Sequence, residues 1–230
     1  MNNLKNLFSI EYPTVQLHSD CKIIGPVLLP IKVARQNKNQ TKAFLFSGKE
    51  GNYLICLFGK VENSKDVLIR VSSACVFGFH LNSLLCDCKD QFDEAVTRMI
   101  DNDAGILIFA IDQHGKGVGL EAHFLVYAEG QRRGKGLFTE IYQDLGLNLD
   151  YRNYDEIVSI IEYFTTLNHI KKITMLTESP EKRAYFQEQC DQIGLQISFD
   201  LFNTDVTPEN KAELTEKVAL GYEINKLNVA

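Results

Sequence analysis

The chain has 230 residues and a net charge of −6, and 45% of its residues are hydrophobic. This composition is typical of a globular protein and excludes collagen-like, low-complexity and disordered classes. Because the apolar runs are too short to cross a bilayer and neither a secretory signal nor a basic stripe is visible, we expect a cytoplasmic protein without membrane or nucleic-acid partners.

The first part of the chain is predicted to be rich in β-structure. Residues 1–20 are polar and predict an irregular extension ahead of a single domain over residues 21–230. Short apolar or alternating runs separated by turn-forming residues then predict strands over residues 21–33, 41–48, 52–61 and 67–73. After Cys88 the apolar residues recur at helical spacing, which predicts a helix that ends just before Gly105.

The second part alternates between strands and helices. The predicted elements are a buried strand, a glycine-rich loop, a helix and a loop over residues 105–111, 112–119, 120–130 and 131–149. A helix over 154–170, capped by Asn153 or Asp155, is followed by a strand, a helix with Ser179 as its N-cap, a strand and a terminal helix over residues 171–177, 179–194, 195–202 and 207–224. This order, β-rich first and alternating afterwards, predicts an α+β or mixed α/β fold.

Three of the six cysteines form the most specific local motif of the sequence, namely Cys75, Cys86 and Cys88. A chain without a secretory signal is expected to keep its thiols reduced, and three thiolates so close in sequence can bind one zinc ion. Three protein ligands leave the fourth position to a water, whose pKa then falls towards ~7. His80 offers a fourth ligand as an alternative, and the alternative to any metal is that the cysteines only fill the core.

Three further segments carry residues suited to binding. Residues 112–119 lie between a predicted strand and helix, where glycines let the backbone approach a phosphate; a tight turn serving only the fold explains them equally well. Asp150 and Arg152 fit a binding site, but also an ordinary surface ion pair. Residues 177–183 follow a strand, where α/β proteins bind ligands, although helix capping alone also accounts for them.

Taken together, these segments resemble the GTP cyclohydrolase II family, which catalyses the first step of riboflavin synthesis. The resemblance covers residues 21–222, and its most specific part is the C-x10-C-x-C spacing of three zinc cysteines. It implies one zinc per chain, with water activated by zinc attacking C8 of GTP and formate leaving. It also implies release of pyrophosphate with the help of Mg²⁺, and a homodimer.

The resemblance also implies roles for individual residues. The three cysteines would hold zinc and Tyr127 would orient the intermediate. Arg152 would act at the α-phosphorus, with Asp150 as its proton acceptor. Nucleotide contacts are implied for a further set of residues: Arg70, Val71, Ser72, Ser73, Ala74, Gln91, His114, Gly115, Lys116, Thr177 and Lys182.

The chain departs from the family pattern where the substrate is recognised. His114 and Lys116 stand where the family has Glu and Arg, and Glu178 replaces an asparagine. If the missing Glu reads the guanine edge, His114 can accept only one hydrogen bond in its place, which predicts weaker discrimination in favour of GTP. Two alternatives therefore remain open: a paralogue that acts on another purine nucleotide or performs only ring opening, and a non-catalytic, zinc-stabilised nucleotide-binding protein.

Overall fold

The computed structural model describes residues 13–18, 20–31, 41–134 and 138–227, which form one eight-stranded sheet and seven helices. The strands are β1 (Thr14–His18), β2 (Cys21–Leu29), β3 (Thr41–Ser47), β4 (Asn52–Gly59), β5 (Val67–Ser73), β6 (Ala104–Ala110), β7 (Lys172–Leu176) and β8 (Gln196–Asp200). The helices are α1 (Val76–Leu81), α2 (Cys88–Asp101), α3 (Leu120–Arg133), α4 (Phe138–Asp144), α5 (Asp155–Leu167), α6 (Pro180–Gln192) and α7 (Lys211–Ala219). The expected α+β fold is confirmed.

The sheet is antiparallel in its first half and parallel in its second. The strand order is β1-β2-β3-β4-β6-β5-β7-β8, and strands β1 to β4 together with β6 pair antiparallel. Strands β6, β5, β7 and β8 are mutually parallel. The carboxyl ends of β5, β6 and β7 therefore lie at one edge of the sheet, which is where parallel sheets bind ligands.

The two faces of the sheet are covered by different helices because successive strand residues point to opposite sides. Ile106 and Ile108 of β6 belong to the larger core cluster, which also contains the apolar stripe of α5. Leu107, between them, packs with Met99 of α2 in the cluster on the other side. Full burial of each such side chain contributes roughly 1.5–3 kcal/mol, so both faces are held firmly.

Two predictions of irregular structure are wrong. Within residues 1–20, Thr14–His18 forms β1 on the edge of the sheet, because its alternating pattern lets Leu17 pack against the core. Within 131–149, α3 continues to Arg133 and Phe138–Asp144 forms α4. Helix α4 is stabilised by a distant residue, since Glu216 accepts the free N–H groups of Phe138 and Thr139.

The remaining predicted elements are confirmed, with shifts of a few residues at their ends. Residues 1–12, 32–33 and 135–137, which several predictions include, lie outside the described residues. In the part of the chain that the structure describes, none of the helices combines the length and the apolar character needed to cross a membrane.

Candidate active site

One cavity opens at the edge of the sheet where β5, β6 and β7 end. Each segment singled out from the sequence contributes to its wall, including Cys75 after β5, Lys116 after β6 and Lys182 after β7. The predicted site residues that line it are Arg70, Ser72, Ser73, Ala74, Cys75, Cys86, Cys88, Gln91, Gly115, Lys116, Tyr127, Arg152, Thr177 and Lys182. The parallel arrangement thus brings together residues more than 100 positions apart in the sequence.

Three predicted residues do not line this cavity. Val71 points into the core and is 1% exposed, so that only its backbone carbonyl contributes, by accepting a hydrogen bond from Lys182 Nζ (3.1 Å). Asp150 is not part of the cavity lining, but it binds Arg152, which is. His114 is buried with both ring nitrogens engaged by protein groups, and it is therefore not placed to read a nucleobase.

The three cysteines converge at the start of two helices. Their Sγ atoms lie within 4.8 Å of one another, and Cys75 Sγ is 3.8 Å from Cys86 Sγ. Cys75 caps α1 by accepting the N–H of Gly78 (3.3 Å), a residue whose added Cβ would lie 3.3–3.4 Å from this cluster. Three thiolates in this arrangement suit a zinc ion, whereas His80 is exposed and does not join them.

Thiol ionisation in this cluster is opposed by the surroundings. The pKa of Cys75 is raised to about 12, because the hydrogen bond with Cys86, which lowers it, is outweighed by the hydrogen bond with Cys88 and by burial. A bound cation is the usual means by which such buried thiols are held as thiolates. The cluster is therefore chemically suited to hold a metal.

A chain of buried hydrogen bonds holds Arg70 beside the thiols. Arg70 Nη2 donates to Gln91 Oε1 (2.6 Å), and Nη1 donates to the carbonyl of Leu176 (3.0 Å). Gln91 Nε2 donates in turn to Asp87 Oδ2 (2.7 Å) and Glu178 Oε2 (2.9 Å). Arg70 Nε and Glu178 Oε1 remain buried without a partner among the described residues, which is uncommon outside functional sites.

Helix α7 completes this chain with residues that the sequence analysis did not select. Lys217 Nζ lies 2.7 Å from Asp87 Oδ1 and 3.1 Å from Glu213 Oε1. Although burial alone would raise the pKa of Asp87, the adjacent Lys217 ammonium lowers it below its ordinary value. The available signal was the i, i+4 spacing of Glu213 and Lys217, which is indistinguishable in sequence from an ordinary solvent-exposed helical pair.

Glu178 is a titratable group of the cavity wall that burial perturbs towards neutrality. Its side chain is only 4% exposed, and burial, assisted by the nearby Asp87 carboxylate, raises its pKa to about 7. The positive charges of Lys217 and Arg70 oppose this shift without cancelling it. A carboxyl group that titrates near neutral pH thus lies in the cavity wall.

Part of the cavity wall carries basic side chains suited to phosphate. Arg152 binds Asp150 through two hydrogen bonds from Nε (2.9 and 3.0 Å) and a further one from Nη2. Lys182 is buried, and its pKa lies well below the ordinary value because of burial and the nearby Arg152 and Arg70. In the described part of the chain no carboxylate pairs with Lys182, and a cluster of basic side chains of this kind favours a bound anion.

Two rings of α3 pack against each other in the cavity wall. His123 and Tyr127 on α3 both line the cavity, and their ring centroids are 4.7 Å apart. Burial raises the pKa of Tyr127, so its hydroxyl stays protonated. His123, which the sequence analysis did not select, contacts the buried His114 through a 2.9 Å separation between Nδ1 and Nε2.

These features define a class of protein: an α+β domain with three thiols suited to a metal beside a cavity rich in basic side chains. A family model of GTP cyclohydrolase II matches residues 30–198. The chain therefore belongs to the GTP cyclohydrolase II family and is a hydrolase of that family.

Individual relatives give the same result. The chain is 31% identical over 180 residues to GTP cyclohydrolase-2 of Picrophilus torridus, which covers 74% of this chain and 90% of the relative. It is 29% identical over 173 residues to GTP cyclohydrolase-2 of Shewanella baltica (73% and 80%) and 36% identical over 132 residues to that of Buchnera aphidicola (57% and 63%). Helix α7, which contributes to the cavity, lies beyond the residues that the family model matches.

Proposed function

We propose that this protein is a zinc-dependent GTP cyclohydrolase II that opens the imidazole ring of GTP and releases formate and pyrophosphate. The observation that carries the proposal is the placement of the three thiols and the cluster of Arg and Lys side chains around one cavity. A nucleotide has both parts that such a cavity needs, a base for the thiol side and phosphates for the cationic side. The names of the relatives point to the same substrate.

Zinc would be held by Cys75, Cys86 and Cys88, one ion per chain. When bound, it supplies the Lewis acidity that activates water for attack at C8 of the base. Tyr127, kept protonated by burial, would donate a hydrogen bond to the reacting base. Gln91 is held by Arg70 and Asp87 and would position the same part of the nucleotide.

The phosphates would lie along the cationic wall. Arg70, Lys116 and Lys182 would neutralise their charge together with Mg²⁺, and Ser72, Ser73, Ala74, Gly115 and Thr177 would contact the nucleotide. Arg152 would act at the α-phosphorus, with Asp150 as its proton acceptor and pyrophosphate as the leaving group. The two-pronged contact with Asp150 supports this role because it fixes the guanidinium at the cavity wall.

Two features bear on the setting of the reaction. Large apolar side chains on α1 and α3 are exposed, including Leu81 (70%) and Phe124 (60%), which supports a homodimer that buries them. The cysteines are free thiols, as expected of an enzyme that works in the reducing cytoplasm.

A paralogue acting on another purine nucleotide is the second candidate. It is favoured by Glu178, which is buried in the cavity wall at a position where the family pattern has an asparagine. The zinc-loaded protein should therefore be incubated with GTP, ITP, XTP and ATP in the presence of Mg²⁺, with formate and pyrophosphate measured separately. We expect both products from GTP. Formate produced from another nucleotide but not from GTP would establish the paralogue. Binding of GTP without release of formate would establish a non-catalytic nucleotide-binding protein.

A further inference from the structure

His114 is buried and His123 is half-buried, and the surrounding backbone determines the direction of the hydrogen bond between their rings. The N–H of Val76 donates to His114 Nδ1 (3.2 Å), so this nitrogen carries no proton. A neutral imidazole has one N–H, which in His114 must then be at Nε2. His114 Nε2 lies 2.9 Å from His123 Nδ1 and donates to it.

The same reasoning fixes the proton of His123. Because its Nδ1 accepts from His114, the single N–H of a neutral His123 is at Nε2. Among the described residues, none forms a hydrogen bond with this Nε2. The atom is also not among the buried side-chain nitrogen and oxygen atoms that lack a partner, so it is accessible from outside the protein. Since His123 lines the cavity, Nε2–H is available there to a bound molecule.

The structure around the pair holds both rings in place. Phe77 packs against the two histidines, with ring centroids 5.6 Å from His114 and 5.4 Å from His123. At Gly115 a Cβ would lie 2.7–2.8 Å from His123, so only glycine lets the loop pass this close to the ring. Burial also lowers the pKa of His123 to about 4, which agrees with a neutral ring.

We propose that His123 is a ligand-contacting residue whose Nε2–H donates a hydrogen bond to an acceptor atom of the bound nucleotide. His114 is a positioning residue that fixes the proton of His123 rather than a reader of the base. The inference rests on the proposed function for the identity of the ligand. The acceptor is an oxygen of the phosphates or an oxygen or nitrogen of the base, and the experiment below distinguishes these sources.

The first measurement concerns the proton itself and needs no substitution. Nitrogen-15 NMR of the ligand-free, zinc-loaded protein should show Nε2–H for His123 with an unprotonated Nδ1. In His114→Phe, the His123 ring loses its fixed partner and should populate both tautomers. A wild-type His123 protonated at Nδ1 would overturn the proposal.

The second measurement is binding of guanosine and of the α,β-methylene analogue of GTP to the zinc-loaded protein. His123→Phe keeps a ring but loses the N–H, and should bind the analogue about three- to tenfold more weakly, as expected for one lost hydrogen bond. His123→Gln retains an amide N–H and should recover part of this loss. His169→Asn, a change at an exposed histidine, is the matched control.

The pattern of losses identifies the acceptor. Weaker binding of the triphosphate analogue alone places the acceptor on the phosphates, and weaker binding of both compounds places it on the base; either result supports the proposal. If His123→Phe binds both compounds as tightly as the wild type does, the inference about His123 is overturned and the proposed function is not affected. Failure of the wild type to bind either compound would overturn the proposed function and this contact with it.

Discussion

Substitution of Glu178 by Gln tests the electrostatics of the cavity. Burial raises the pKa of Glu178 from its ordinary value of 4.5 to about 7 in the folded protein, whereas the unfolded chain retains the ordinary value. Between these two pH values the folded state holds a proton that the unfolded state has lost. The free energy of unfolding contributed by Glu178 therefore falls as the pH rises, by about 1.4 kcal/mol for each pH unit.

Over the whole interval the contribution of Glu178 to the free energy of unfolding falls by about 3 kcal/mol. Screening by solvent does not reduce this value, because the side chain is only 4% exposed. The glutamine introduced by Glu178→Gln has the same shape and can still accept from Gln91, but it cannot ionise. The difference in unfolding free energy, Glu178→Gln minus wild type, should thus increase by about 3 kcal/mol between pH 4 and pH 8 in favour of the variant.

Urea unfolding at a series of pH values measures this difference directly. Release of zinc on unfolding adds its own pH dependence to both proteins, and that contribution cancels in the difference. Glu188→Gln, which removes an exposed carboxylate from α6, is the matched control. A difference that stays constant with pH, or that decreases above pH 5, would refute the account of Glu178 as a buried and perturbed carboxyl group.

The remaining predictions concern the metal, the phosphate chemistry, the buried ion pair and the assembly. Cys86→Ser should remove both zinc, measured by elemental analysis, and formate release, whereas Cys21→Ser should retain them; zinc retained by the first variant would contradict the ligand assignment. Arg152→Ala should lose pyrophosphate release while any remaining ring opening yields formate alone, and equal residual rates of the two products would argue against separate roles. Lys217→Met should reduce the free energy of unfolding by about 3–5 kcal/mol in urea titrations, because it leaves a buried carboxylate without its cation; a loss below about 1 kcal/mol would show that the pair is not buried in solution. Phe124→Asp should convert a dimer to a monomer in sedimentation experiments, and a monomeric wild type would contradict the homodimer.

The sequence was sufficient for features that depend on local spacing. The cysteine motif predicted that Cys75, Cys86 and Cys88 would meet, and Ser179 was recognised as an N-cap, which its hydrogen bond with Lys182 confirms. Strand and helix periods likewise predicted most of the elements. Such features follow from a few neighbouring residues, so that no knowledge of the tertiary structure is required.

Features that depend on distant contacts were not predictable. Helix α4 relies on Glu216, which follows it by more than 70 residues, and its own sequence contains no recognisable cap. Glu213 and Lys217 reach the cavity only because α7 packs against it. His114 was expected to contact the ligand because of its place in the loop. In the structure His114 contacts His123 instead, and it is His123, nine residues later, that lines the cavity.

The central claim is that this chain opens the guanine ring at C8 with zinc held by its three cysteines. GTP labelled with carbon-14 at C8 tests it most directly, because that carbon becomes the carbon of formate. The zinc-loaded wild type with Mg²⁺ should release labelled formate, and folded Cys86→Ser should release none. Label that remains entirely in the nucleotide with the zinc-loaded wild type, or labelled formate produced equally by Cys86→Ser, would contradict the claim.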